Sequence, residues 1–95
     1  MAAIGVLTLE LRLEHSHSLK EKRHVLESLK DRLRQKFNVA VAEIDYRDLW
    51  QRSVVAAVTV SRDRTFAEKV LRAVEEEASG LLGEALAGAS VEWME

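Results

Sequence analysis

The densest group of side chains able to do chemistry is His17-Ser18-Leu19-Lys20-Glu21-Lys22-Arg23. Three cations within four positions, opened by a serine that can cap a helix, suit an anion. The positive end of the helix dipole and its unpaired amides would add to their field. Stepping about 100° per residue brings Arg23, Lys30 and Arg34 within roughly 40° of one another, with Lys20 near them. Lys22 points elsewhere. Its angle falls between Leu26 and Leu29, on the face that should be buried, so its ammonium either snorkels past a sheet edge or is held for a ligand. The competing reading is a solvated basic helix with a few ion pairs along it.

A second group is Glu43, Asp45 and Asp48, followed by Leu49-Trp50-Gln51-Arg52. Residues 43 and 45 share one face of an extended strand, which would pair their carboxylates for a divalent ion or for acid–base work. The plainer reading is a polar edge strand in which Asp45 or Asp48 shapes a turn and Arg52 pairs across it. Trp50 must either fold back on the core or meet a partner. His15 and His17 would share a side of an extended segment, with Glu14 or His24 as a third metal ligand, but H-x-H pairs are frequent by chance. Neither Ser16 nor Ser18 comes with recognisable oxyanion donors or an orienting acid, and Ser18 is needed as a cap. The four glycines fit neither P-loop nor dinucleotide-binding spacing.

These groups need elements to position them. Leu7, Leu9, Leu11 and Leu13 alternate with Thr8, Glu10 and Arg12, a period of two that predicts a strand over about 4–13. Ser18 and Glu21 form a capping box for a helix running to about Lys36, with Leu19, Val25 or Leu26, Leu29, Leu33 and Phe37 as its apolar stripe. Asn38 is placed to turn the chain out in a left-handed conformation. A second strand follows at about 39–45. The run Val54 to Val60 predicts a strand buried on both sides and therefore central. Asp63 or Thr65 caps a second helix whose stripe is Phe66, Val70, Val74 and Ala78, closed by Gly80. Gly83 and Gly88 mark a loop, and Val91 and Trp93 a short last strand at an edge.

The order β-α-β-β-α-β predicts a ferredoxin-like fold: a four-stranded antiparallel sheet with both helices on one face and the first and third strands central. The other face, carrying Val6 and Thr8 with neighbours from the third strand, is left partly apolar and uncovered. Such patches mark interfaces, so a homodimer through this face is expected. Base stacking on it is not, because neither central strand carries an aromatic.

Composition narrows the function classes. Ninety-five residues, 47% hydrophobic and 32% charged, suit one domain over 1–95 and exclude a disordered tail. Zero cysteines exclude disulfides, thiolate metal sites and a cysteine nucleophile. The apolar runs fall far short of the roughly 20 residues that span a bilayer, and the N-terminus lacks the marks of a secretory signal, so a cytoplasmic location is expected. The net charge of −2 conceals seven Lys or Arg against three acids between His15 and Lys36, and three against six between Asp63 and Glu84. A basic side and an acidic side follow.

Ile4-Gly5-Val6-Leu7, His17 through Arg23, Phe37-Asn38-Val39 and Glu43 through Arg52 together resemble the YlxP-like family of small bacterial proteins, over nearly the whole chain. The motif positions are Ser18, Lys20, Lys22, Arg23, Glu43, Asp48, Trp50, Gln51 and Arg52. The family gives none of them an established role. Its genes often neighbour translation-initiation and ribosome-maturation factors, so the resemblance implies a ribosome or RNA connection by association. The leading expectation is a non-enzymatic RNA- or ribosome-associated protein with no cofactor and no metal. Lys20, Lys22, Arg23, Lys30 and Arg34 would contact phosphates, and Trp50 and Arg52 would complete the surface. The alternatives are a protein-interaction module using the open sheet face, and a small-ligand or metal-dependent activity at Glu43, Asp45 and Asp48.

Overall fold

The computed structural model describes residues 1–94. Its elements are β1 (Ala3–Arg12), α1 (Leu19–Lys36), β2 (Ala40–Asp45), β3 (Arg52–Ser61), α2 (Arg64–Leu82), a short 3-10 turn (Gly83–Ala85) and β4 (Leu86–Met94). The strands form one antiparallel sheet in the order β2-β3-β1-β4, the ferredoxin-like arrangement with β1 and β3 central. The period of two in β1 sends Leu7, Leu9 and Leu11 to the same side as Val55 and Ala57 of β3 and Val41 of β2. Leu26, Leu29 and Leu33 of α1 and Leu71, Val74 and Ala78 of α2 close over them to form one core. Each fully buried leucine contributes on the order of 1.5–3 kcal/mol.

Gly5 lies on this helix-facing side because nothing larger fits. A Cβ there would come within 2.7 Å of Leu71 Cδ1 and 2.9 Å of Trp93 Cζ3. Trp93 of β4 therefore covers the glycine edge-on from the core side, and the Arg64 guanidinium stacks 4.5 Å above its ring.

Four expectations need correction. The buried stripe of α2 is Ala67, Leu71, Val74 and Ala78, while Phe66, in the first turn, stays 58% exposed. The helix runs through Gly80, and the residue with positive φ that ends it is Gly83, at φ 56° and ψ −126°, a conformation close to glycine-only. Asn38 is not left-handed. The Phe37 cap is already extended and its N–H bonds back to the Leu33 carbonyl, so the chain enters β2 without a left-handed turn. Finally, β4 is an edge strand but a long one of nine residues, in which Gly88 pairs with Glu10 instead of opening a loop. The cap of α2 is Asp63, whose carboxylate accepts the Thr65 N–H at 2.9 Å.

Candidate functional site

The end of the sheet where β1 leaves, α1 begins and β2 passes to β3 gathers most of the motif residues. Ser18 caps α1 as its spacing predicts: the hydroxyl accepts the Glu21 N–H at 3.1 Å, and the Glu21 carboxylate accepts the His17 N–H at 2.8 Å. This fixes the first turn, and with it Lys22.

Lys22 is 1% exposed, the largest fully buried side chain among the described residues. Its ammonium donates to the carbonyls of Tyr46 at 2.5 Å, Leu49 at 2.7 Å and Arg47 at 3.3 Å, and lies 3.0 Å from Glu43 Oε2. Three hydrogens are thus shared among four oxygens, and none remains for a phosphate. The expectation that Lys22 binds an anion is overturned by this geometry: it snorkels inward, to the backbone of the β2–β3 connection. The same Glu43 oxygen accepts the Ser53 hydroxyl at 2.6 Å, so the carboxylate is held from both sides. A buried charge is tolerable only when paired and hydrogen-bonded in this way.

The connection is shaped to meet that ammonium. Glu43 continues the core-facing alternation of Val41, and the register shift that follows it sets Asp45 opposite Val54, on the uncovered side. Tyr46 takes φ 59°, unusual for a residue with a Cβ, and its N–H is held by Asp45 Oδ1 at 2.7 Å. The Arg52 guanidinium stacks 4.2 Å above the Tyr46 ring. On the other side, Gln51 donates through Nε2 to the carbonyls of Glu14 and Ser16, both at 3.2 Å, and its own carbonyl accepts the Leu13 N–H at 2.9 Å. Residues 46–51 are therefore stitched to α1 by Lys22 and to the β1–α1 connection by Gln51.

What this held loop presents outward is Leu49 and Trp50, 47% and 52% exposed, above a shallow concavity of about 590 Å³ lined by residues 48–52. The bulge that parts Glu43 from Asp45 also dissolves the expected carboxylate pair. Among the described residues no three His, Cys, Asp or Glu side chains converge on one point, which covers both the Glu43, Asp45, Asp48 group and the His15, His17 pair.

The basic helix divides into committed and uncommitted cations. Lys30 pairs with Glu27 at 3.1 Å, and Arg34 donates to the Val41 carbonyl at 2.9 Å with Asp31 3.9 Å away. Arg32 and Lys36 both bind Glu77 of α2, at 3.1 and 2.7 Å. Lys36 above all, with Arg32, holds the Glu77 carboxyl below the ordinary glutamate value of 4.5. Lys20 and Arg23 are exposed and, among the described residues, bind no other side chain. They flank Lys22 in sequence, on the exposed side of the helix turn that holds the loop. The role of Ser53 and the positive φ of Tyr46 escape the sequence reading. Ser53 sits inside an apolar strand where its hydroxyl looks incidental, and nothing in the residue type marks Tyr46 for a positive φ.

Residues 4–84 match the family described as protein of unknown function, DUF503. The uncharacterized protein YlxP of Bacillus subtilis is 42% identical over 71 residues, which span 75% of this chain and 77% of that protein. Among solved structures, the de novo designed protein Foldit4 is similar with a TM-score of 0.62 at 11% identity, covering 100% of this chain and 98% of its own. A putative antibiotic biosynthesis monooxygenase from Bordetella bronchiseptica follows with a TM-score of 0.58 at 13% identity, covering 100% and 97%. At such identities the likeness is one of fold, and a fold shared with a designed protein carries no activity with it. By sequence, the chain belongs to the YlxP-like family of proteins of unknown function.

Proposed function

We propose that this protein is a non-enzymatic RNA-associated factor, of the kind that docks on the ribosome. Its contact surface would be the first turn of α1 together with the β2–β3 loop. The observation that carries this reading is the Lys22 clamp. A lysine and a glutamate are taken into the protein to hold the backbone of a loop whose own large side chains, Leu49 and Trp50, stay outside. Fixing a loop that contributes so little to the core is explained if the loop must be presented in one shape. Lys20 and Arg23, on the same helix turn as Lys22, are exposed. An exposed indole and uncommitted cations on the helix that holds its loop suit a single-stranded nucleic acid, with stacking on the ring and phosphates on the cations.

The proposed set is Lys20, Arg23 and Trp50, with Arg52, Lys30 and Arg34 at its margin because each already has an internal partner. The test is binding of the purified protein to a fluorescent single-stranded RNA and to purified ribosomes across a salt series. Binding should be weak and salt-dependent. The Lys20→Ala/Arg23→Ala variant should lose affinity and flatten the slope of log K against log salt by about 1.4 for two phosphate contacts. Trp50→Ala should weaken binding by about 1–3 kcal/mol without moving the melting temperature. Equal binding by the double variant and the parent at low salt would overturn the proposal.

A further inference from the structure

We infer that the uncovered face of the sheet is the contact surface of a homodimer, with a second copy of this chain as its occupant. Both helices pack on the side that carries Leu7, Leu9 and Val55, and among the described residues no element lies over the opposite side. The register fixes what that side shows. Ile4 stands beside Val60, Val6 beside Val58 and Thr8 beside Ala56 across the two central strands. Ala40 and Ala42 of β2 continue the patch outward, opposite Val58 and Ala56. Val60 and Met94, at the end of the face where β1 begins, are 56% and 59% exposed.

Three features favour a second copy over other occupants. The first is size: four strands about 4.8 Å apart and nine residues rising about 3.3 Å each give a face of roughly 19 by 30 Å. With side-chain relief that is close to the ~800 Å² per partner of a stable interface. The second is the arrangement of charge. Among the described residues, the two central strands carry no charged side chain on this face from Ile4 to Thr8 and from Ala56 to Val60, and the charges begin at Glu10 and on β4, around an apolar centre as in a protein interface. The third is the sign of those charges. Glu10 and Arg12 alternate on β1, Glu92 faces outward from β4 opposite Val6, and Arg52 pairs with Arg12 at the far end. A rim of both signs can pair with its own image under a two-fold axis, whereas glutamates at the margin would repel phosphates. The inference does not rest on the proposed RNA contact, which lies at the loop end of the molecule and meets this face only at Arg52.

Sedimentation equilibrium of the full chain between about 1 and 100 μM should show a species of twice the 10.7 kDa chain mass. Val58→Lys, a half-buried position in the middle of the face, should give the single-chain mass while keeping the far-ultraviolet circular dichroism of the parent. Val91→Lys, at an exposed position on the helix side of β4, should leave the dimer intact. Should Val58→Lys fail to fold, the lack of any native cysteine allows a second measurement. In Thr8→Cys the thiol should react about tenfold more slowly with a maleimide at dimer-forming concentration than after dilution, as mass action requires. A parent that stays at single-chain mass throughout, a folded Val58→Lys variant that stays dimeric, or a Thr8→Cys thiol equally reactive at both concentrations would overturn the inference.

Discussion

Lys22 is a cation at a position where helix periodicity calls for a leucine, and the exception is the most informative residue of the chain. Replacing it with methionine keeps the stem but removes the ammonium. Three loop carbonyls would lose a donor, and Glu43, most of its side chain enclosed, would keep a charge without its counter-ion. Breaking a buried pair from one side costs about 3–5 kcal/mol. Lys22→Met should therefore lower the urea midpoint by a large fraction of the protein's total stability, whereas Glu43→Gln, which keeps an acceptor for Ser53, should cost clearly less. Comparable losses in the two variants would mean that the ion pair, and not the bonds to the carbonyls, dominates. The sequence shows that Lys22 faces inward, because that follows from a fixed angle per residue. Its partners are not legible. They lie more than 20 positions away and depend on a bulge after Glu43 and a left-handed Tyr46, neither of which has a residue-type signature.

Elements with a strong period or a cap are readable in advance, and those set by tertiary contact are not. The leucine alternation of β1, the capping box of α1 and the apolar run of β3 are found where the pattern puts them, although the helices cover β3 on one face and leave Val60 on the other 56% exposed. In α2 the pattern is ambiguous by one residue, since Phe66 and Ala67 both begin plausible stripes. Packing favours the smaller residue where the helix crosses close to β1 and β3. For β4 the two glycines suggest a loop, yet Gly88 is accommodated in a strand beside the bulge at Glu10 and Leu11. Gly5 shows the same dependence from the other side. In a strand it reads as a weak point, whereas its missing side chain is what admits Leu71 and Trp93. Gly5→Ala should destabilise by about 1–3 kcal/mol through overpacking, with a shift of tryptophan fluorescence from Trp93. A neutral or stabilised variant would show that α2 and β4 move apart freely.

Across the whole molecule the charges organise as the sequence implies, with one difference in meaning. The basic and acidic helices meet each other: Arg32 and Lys36 of α1 close on Glu77 of α2, so part of the positive side is neutralised within the fold. With its pKa lowered, Glu77 stabilises the fold fully above the ordinary value of 4.5 and loses that contribution as pH falls through its folded value. The difference in melting temperature between the parent and Glu77→Gln should shrink as pH is taken from about 6 to about 3. A difference that stays constant over that range would separate Glu77 from the acid sensitivity of the protein. The order of the strands carries a further consequence, for synthesis. β1 is made first, and β3 gives it one neighbour, but its other neighbour is β4, residues 86–94. Until those residues emerge, the nascent chain holds a finished, leucine-rich strand with one bare edge of amides and carbonyls, the kind of edge that recruits stray strands. The interval between β1 and β4 is when the growing chain most needs protection.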